Sequence, residues 1–533
     1  MQSVTPASRP GHGVETAVWF GPYMTTVTAE KSAGRWIDDW EPEDGSFWAD
    51  QGRARATRNL GLSMFAEHLA FGIWVVWTIV VLNLADAGIK LPVSDLFVLT
   101  LLPNLIGSLL RLPYTLAVGR FGGRAWTALS AMLLAVPAVL LAAVVPSHWL
   151  AHQPHATQLW ILALCAASSG VGGGNFASSM SNISYFYPER RKGWALGMNA
   201  AGGNLGVATT QLFIPLVVII GVPASLVKLS RHPVHLAYAG LVWLPLIAAA
   251  AALAWFRMDS LTQSRGKASS YRAALGEGHT WVLSLLYIGS FGSFIGFSFA
   301  LPLVIKTSFP TFLAHHPFIA TYLAGLGFMG ALLGSLARPV GGLMADRVGG
   351  ARVTLASFLG MSGLVGVAIA AVETHDFAWF LTSFCALFVL AGVANGSTYK
   401  LIPTVFIAPN GATEALRFEL KRRTAAVIGV IGAIGALGGV GVQVVIRQAS
   451  LVVSDLEAKA KTPALKAAIA TAHAAWSVPA LWTFLASYSV LAAVTWAVYV
   501  RRAVRIVDLT DPVGPQVPGQ LAADLAVTGA SSS

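Results

Sequence analysis

Two arginines carry the chemistry of this sequence. Arg111 and Arg338 each stand inside an apolar run, nine residues ahead of a second arginine, Arg120 and Arg347. The segments read RLPYTLAVGRFGG (111–123) and RPVGGLMADRVGG (338–350), a constant offset of 227 residues. A guanidinium is planar, permanently charged and forked, so it suits bidentate contact with an oxyanion. If Arg120 and Arg347 mark a membrane surface, a helical rise of about 1.5 Å per residue puts Arg111 and Arg338 roughly 13 Å below it, near the midplane. An unpaired cation at that depth costs several kcal/mol. A carboxylate partner is the ordinary remedy, but the apolar runs hold one acid away from their ends, Glu67, and one carboxylate does not balance two arginines. The deficit of negative charge points to a bound anion.

Other side chains fall at similar depth by the same arithmetic. Asn204 lies twelve residues beyond Lys192, Phe176 twelve before Pro188, and Phe71 about ten residues into the first apolar run. Tyr287 and Phe291 are i,i+4 and share a helix face. Each aromatic taken singly is an ordinary packing residue; with the arginines they would make a flat slot that favours a small planar anion. Glu67 and His68 are adjacent, and two readings stay open for them. The expectation is that they face a hydrated mouth at the cytoplasmic membrane surface; the alternative is a titrating pair that takes up and releases protons.

The elements that must position these residues are membrane helices. Of 533 residues, 55% are hydrophobic and only 11% charged, far below the roughly 25% of soluble domains. A soluble core of this size is excluded, and the net charge of +11 does not indicate nucleic acid once the charges are located. Cys165 and Cys385 sit in apolar runs and suggest neither disulfide nor thiolate metal site. The histidines (His148, His152, His155, His232, His235, His315, His316, His375) fall mostly in loops without metal-ligand spacing. No cofactor, metal or enzymatic activity is expected. The first 30 residues lack a secretory signal.

Runs of the length needed to cross about 30 Å of hydrocarbon lie near 61–84, 95–118, 125–147, 158–186, 194–221, 236–256, 279–304, 318–344, 352–372, 378–404, 424–446 and 479–500. The expected fold is therefore all-α, with twelve transmembrane spans. Of the 35 Lys and Arg residues, 24 fall on the side of the termini and eight in the opposite loops, which leaves Arg111, Arg338 and Lys400. By the positive-inside rule both termini are cytoplasmic. Lys400 is close enough to a span end to snorkel. Domains are expected at 1–60 (cytoplasmic), 61–257 (first six helices), 258–278 (linker), 279–500 (last six helices) and 501–533 (cytoplasmic tail), with disorder from about Pro512. Residues 448–477 are expected to be an outer loop with a short helix. The 227-residue echo and the glycine-rich runs of spans 5 and 11 describe a parallel duplication, an architecture that places substrate at the midplane between halves.

These motifs also resemble a known family, the nitrate/nitrite porters of the major facilitator superfamily. The superfamily loop motif appears as GLMADRVGGAR (342–352), with a degenerate copy GRFGGR (119–124). The family's glycine-rich signatures are matched by GWALGMNAAGGNL (193–205) and GVIGAIGALGGVG (429–441). Further support comes from GGGNFASSMSNISYFYP (172–188), SLLYIGSFGSFIGFS (284–298) and WEPEDGSFW (40–48). The resemblance runs from about residue 36 to 505. It implies a cell-membrane carrier of the major facilitator fold that acts on nitrate and nitrite and works as a monomer. Arg111 and Arg338 match the family's substrate-binding arginines, Asn204 and Tyr287 its hydrogen-bonding partners, and Phe71, Phe176 and Phe291 its aromatic walls. Exchange of nitrate for nitrite is the expected mode; proton-coupled nitrate symport and carriage of another small anion are the alternatives.

Overall fold

The computed structural model describes residues 36–220, 235–265, 274–405, 414–460 and 475–501, with a few isolated positions between them. Among these, twelve helices are long and apolar enough to cross a membrane: spans 1 to 12 are Gly45–Asn83, Val93–Phe121, Gly123–Val144, His155–Phe186, Glu189–Ile219, Tyr238–Arg257, Gly278–Ser308, Phe328–Val348, Gly350–Glu373, Phe377–Ile402, Ala426–Leu456 and Val478–Val500. They form two six-helix halves. Burial follows the duplication: spans 1 and 7 are 83% and 94% buried over their most apolar windows, whereas spans 6 and 12 are 39% and 33% buried. Span 1 and its counterpart six helices later are thus central, and spans 6 and 12 peripheral. The periphery carries exposed Trp160, Leu164, Phe256, Trp379 and Val490, side chains suited to lipid rather than water.

Spans 2 and 8 end in the same way. Gly122 and Gly349 cap them at φ of 82° and 94°, a left-handed conformation that a residue with a Cβ resists. Each glycine then starts the next span at once, so the repeated sequence yields a repeated hairpin and holds Arg111 and Arg338 at equal distances from their turns. Several spans contain proline, at Pro103 and Pro113 in span 2 and Pro339 in span 8. Proline removes a backbone donor and opens the ladder locally.

The chain ahead of span 1 forms a collar on the side of the described termini. Strand β1 (Trp36–Ile37) pairs in parallel with β2 (Ser260–Leu261), the segment that follows span 6. Arg265 covers the Trp36 ring, with Cζ 4.4 Å from the centroid. Thr262 Oγ1 donates to Asp38 Oδ1 (2.5 Å) and Gln263 Nε2 to the Trp40 carbonyl (2.8 Å). Trp40 is 1% exposed and packs edge-on against Phe47 and Phe186. Asp44 caps the helix start by accepting from Ser46 N at 2.7 Å, and Glu43 accepts from Glu189 N, the first residue of span 5, at 2.8 Å. The WEPEDGSFW motif therefore ties the ends of spans 1, 4, 5 and 6 together.

Three boundaries differ from the sequence expectation. Span 8 begins at Phe328 rather than near 318, because a kink at Gly325 (φ 66°) sets it apart from the short helix Pro317–Tyr322. Span 1 begins at Gly45 rather than near 61, because the Asp44 cap and the aromatic collar nucleate helix ahead of the apolar run. The helix containing span 11 continues to Lys459, so the first part of the expected outer loop is helical, an extension of span 11. The tail from Pro512 and the outer-loop residues Lys228, Arg231, Lys461 and Lys466 lie outside the described residues.

Removing the collar's centre should loosen this side of the first half. Trp40→Ala is expected to cost about 3–5 kcal/mol of stability, read as a lower midpoint of thermal unfolding in detergent; an unchanged midpoint would show that the collar does not brace the bundle.

Candidate functional site

Arg111 and Arg338 are buried to 0% and 3% exposure. Span 2 presents Arg111 to two backbone carbonyls. Nε donates to the Gly173 carbonyl at 3.2 Å and Nη1 to the Gly432 carbonyl at 2.7 Å. Gly173 follows a tight 3₁₀ turn (Ser169–Gly172) that interrupts span 4, and such interruptions release carbonyls from the helical ladder. Gly432 belongs to span 11, so this bond crosses between the halves. Arg338 Nη2 donates to the Tyr287 hydroxyl at 3.2 Å. One nitrogen on each guanidinium, Arg111 Nη2 and Arg338 Nη1, is buried with no protein hydrogen-bond partner. The ion pairs Arg58–Asp259, Lys400–Asp346 and Arg423–Glu277 involve neither arginine.

Aromatic rings supply the rest of the surroundings. The Arg111 Cζ lies 4.6 Å from the Phe176 centroid, 4.7 Å from Phe291 and 5.6 Å from Trp74. The Arg338 Cζ lies 5.3 Å from both Phe176 and Tyr399. Phe176 is thus common to the two, which puts the guanidinium carbons no more than about 10 Å apart. Phe176 stacks on Phe291 (5.4 Å, 21°) and Phe291 on Tyr287 (5.3 Å, 7°), a column of three rings running from span 4 to span 7. A wide π-type turn at Ile288–Gly292 shapes this part of span 7. Span 11 makes room for the column: a Cβ on Gly435 would lie 2.1 Å from Tyr287 Cδ1. Aromatic faces attract cations by about 0.5–2 kcal/mol each, which offsets part of the desolvation of two arginines but adds no negative charge.

Arg111, Arg338, Tyr287, Phe176 and Phe291 therefore come together. Phe71 stands behind them, 6.1 Å from Phe176 and 5.3 Å from Trp74, and touches neither guanidinium by ring contact. Asn204 is 1% exposed, and its amide oxygen and nitrogen have no protein partner. It sits where span 5 lies against span 1, with Gly203 beside Glu67 and Gly206 beside His68 and Phe71. Two residues escaped the sequence reading. Trp74 is one turn beyond Phe71 and donates its indole N–H to the Pro103 carbonyl at 2.7 Å. Tyr399 packs 5.2 Å from Tyr287; its neighbour Lys400 reaches the exposed Asp346 at 2.6 Å.

Glu67 corrects an expectation. It does not face a hydrated mouth but is 1% exposed, because spans 4 and 5 meet it with polar side chains: Oε2 accepts from Ser179 Oγ (2.5 Å) and Asn199 Nδ2 (2.8 Å). His68 is half-buried, its Nδ1 3.1 Å from the Gly202 carbonyl. Both cysteines are unpaired, and among the described residues no cluster of metal-ligating side chains occurs. His148 and His152 stack on each other, and His155 lies 3.0 Å from Asp95.

Comparison with known proteins extends the picture. Residues 61–443 match the Major Facilitator Superfamily. The chain is 37% identical over 416 residues to the nitrate/nitrite transporter NarU of Salmonella typhimurium, covering 74% of this chain and 85% of that protein. It is 37% identical to NarU of Escherichia coli over 75% of this chain and 87% of that one. With the probable nitrate/nitrite antiporter NarK2 of Thermus thermophilus it shares 34% identity over 70% of this chain and 84% of that protein. Among solved structures, a bacterial homologue of the lysosomal transporter Spinster superposes with a TM-score of 0.57 at 13% identity, over 82% of this chain and 95% of that one. A D-xylose–proton symporter gives 0.57 at 16% identity, over 83% and 97%. At these identities the structures speak to the fold.

The seat of Tyr287 is open to test. Gly435→Ala must displace the ring, at an expected cost of about 1–3 kcal/mol in thermal unfolding, and should uncouple Tyr287 from Arg338; full wild-type stability would mean that the ring column is not tightly held.

Proposed function

The chain belongs to the nitrate/nitrite porters of the major facilitator superfamily, and on that premise we propose that it carries nitrate and nitrite across a cell membrane, exchanging one for the other between Arg111 and Arg338. The observation that carries this reading is the pair of buried nitrogens, Arg111 Nη2 and Arg338 Nη1, that lack protein acceptors within reach of one shared aromatic ring. A planar three-oxygen anion offers acceptors to both guanidiniums while its face lies against Phe176 and Phe291. Phe71 and Trp74 back these walls. Tyr287 orients Arg338, and Asn204 offers further hydrogen bonds at the span 1 side.

Electrostatic magnitudes favour a loaded site. At an effective dielectric constant near 20, two unit cations about 10 Å apart repel by about 1.7 kcal/mol. An anion midway attracts each by about 3 kcal/mol, so its arrival outweighs the repulsion several-fold. Alternating access would proceed by rocking of residues 61–257 against 279–500, with the termini in the cytoplasm as the excess of Lys and Arg on that side supports. Closing an empty site leaves both cations without an anion, whereas closing a loaded one does not, so the carrier should turn over mainly when loaded. The proposed unit is a monomer. Proton-coupled symport is the second reading, favoured by the burial of Glu67.

Counterflow in proteoliposomes tests the exchange. Labelled nitrate should enter nitrite-loaded vesicles at least about tenfold faster than empty ones, and equal rates with and without internal anion would overturn exchange. Arg338→Lys keeps the charge but loses the fork, so uptake should fall by about tenfold or more; near-normal uptake would sink the clamp.

A further inference from the structure

Among the described residues, one carboxylate is buried in the central spans, and it has no part in the anion clamp as described. Glu67 follows Arg58 by nine residues on a continuous helix, and Arg58 pairs with Asp259 at the end of span 6 at 2.5 Å. Arg111 stands the same nine residues from Arg120. At about 1.5 Å per residue, Glu67 therefore lies at the depth of the two arginines.

The two oxygens of Glu67 differ. Oε2 is held by Ser179 and Asn199, which also bond each other, and Ser179 lies 3.0 Å from Ser63 Oγ. Oε1 is buried and has no hydrogen-bond partner; it lies against Gly203, where a Cβ would come within 2.4 Å of it. One ligated oxygen and one bare one is the arrangement in which a carboxyl accepts a proton on the bare oxygen while the other keeps its donors. Among the described residues, the other elements packed on this part of span 1 bring no second carboxylate and no histidine to it. Spans 4 and 5 face it with Ser179, Asn199 and Gly203; the charged residues of span 5 (Glu189, Arg190, Arg191, Lys192) stand at its first turn, and the ionisable residues of spans 3 and 6, Arg124, Tyr238 and Arg257, stand at their ends. Span 2 contributes Arg111, with Tyr114 one turn on against Trp126, and span 8 contributes Arg338. His68, next in the chain, turns to the Gly202 carbonyl.

We propose that Glu67 is a proton-binding site linked to the anion site, such that its protonation strengthens anion binding between Arg111 and Arg338. The inference rests on the anion-carrier reading above. With Glu67 ionised, the centre holds two positive charges and one negative, and an incoming anion meets a like charge at its own depth. With Glu67 protonated, the anion meets two cations and a neutral acid. Linkage is reciprocal: if the proton favours the anion, the anion favours the proton by the same factor. Binding of nitrate then takes up a proton from solution, and affinity rises as pH falls.

The test is nitrate binding to purified full-length protein in detergent from pH 5 to 8, with proton uptake followed in weakly buffered solution. The dissociation constant of the wild type should rise by about tenfold across this range, within the span usual for coupled sites. Glu67→Gln should bind tightly at every pH, with no proton uptake. Ser179→Ala, which removes a donor to the ionised form, should keep the pH dependence but move it to higher pH, and it serves if Glu67→Gln does not fold. His68→Gln should behave as wild type. A pH-independent affinity in the wild type, a slope retained in Glu67→Gln, or a slope lost in His68→Gln overturns the proton site while leaving the carrier reading intact. Absence of nitrate binding at any pH overturns both.

Discussion

Two guanidiniums at the centre of an apolar bundle set the terms for everything packed around them. Arginine stays charged at any accessible pH, so the surroundings cannot relieve the cost of burial by neutralising it. What they supply instead are partial charges: a carbonyl released by the broken helix at Gly173, a second carbonyl at Gly432, the Tyr287 hydroxyl, and the faces of Phe176, Phe291, Trp74 and Tyr399. None is a full negative charge. The centre is therefore held in a condition that a small anion improves, and local irregularities that would be defects elsewhere, a 3₁₀ turn in span 4 and a π turn in span 7, serve to bring these groups to the arginines.

The duplication explains why there are two arginines and why they meet. Each half makes the same hairpin around a glycine at positive φ, Gly122 or Gly349, and each places its arginine nine residues before the turn arginine. Two equivalent helices on opposite sides of a pseudo-twofold axis then bring identical side chains to one depth. The halves are nevertheless not identical around the site. The first contributes Phe176 and Trp74, the second Tyr287, Phe291 and Tyr399, so the surroundings of the two arginines differ from one half to the other.

Much of this was legible in the sequence, for reasons that differ by residue. The depth of Arg111 and Arg338 follows from a uniform helical rise, and the shared face of Tyr287 and Phe291 from the helical period. Trp74 and Tyr399 were missed because their contacts to the arginines cross between helices, and no spacing within one helix encodes which neighbour a ring will meet. Glu67 shows the same limit. The rise gives its depth but not the direction in which it points, and its burial depends on Ser179 and Asn199, supplied by spans 4 and 5. The early start of span 1 came from a cap and an aromatic collar, local chemistry that a search for apolar runs passes over.

The bond from Arg111 to the Gly432 carbonyl bears on motion, since it joins the first half to the second at the proposed anion site. Phe176 does likewise, touching both arginines and Phe291. Further bridges lie on the side opposite the described termini: Gln211 to the Ser298 carbonyl (2.7 Å), Lys306 to the Leu82 carbonyl (2.5 Å) and Arg447 to the Ser94 carbonyl (3.3 Å). A rocking motion that opens that side would have to break these bonds. In the proposed clamp, an anion held by one arginine from each half would link the halves throughout the motion. A larger anion in the proposed clamp would hold the arginines further apart and let either side close less completely, which would tie the size of the substrate and the completeness of closure to the same pair of side chains.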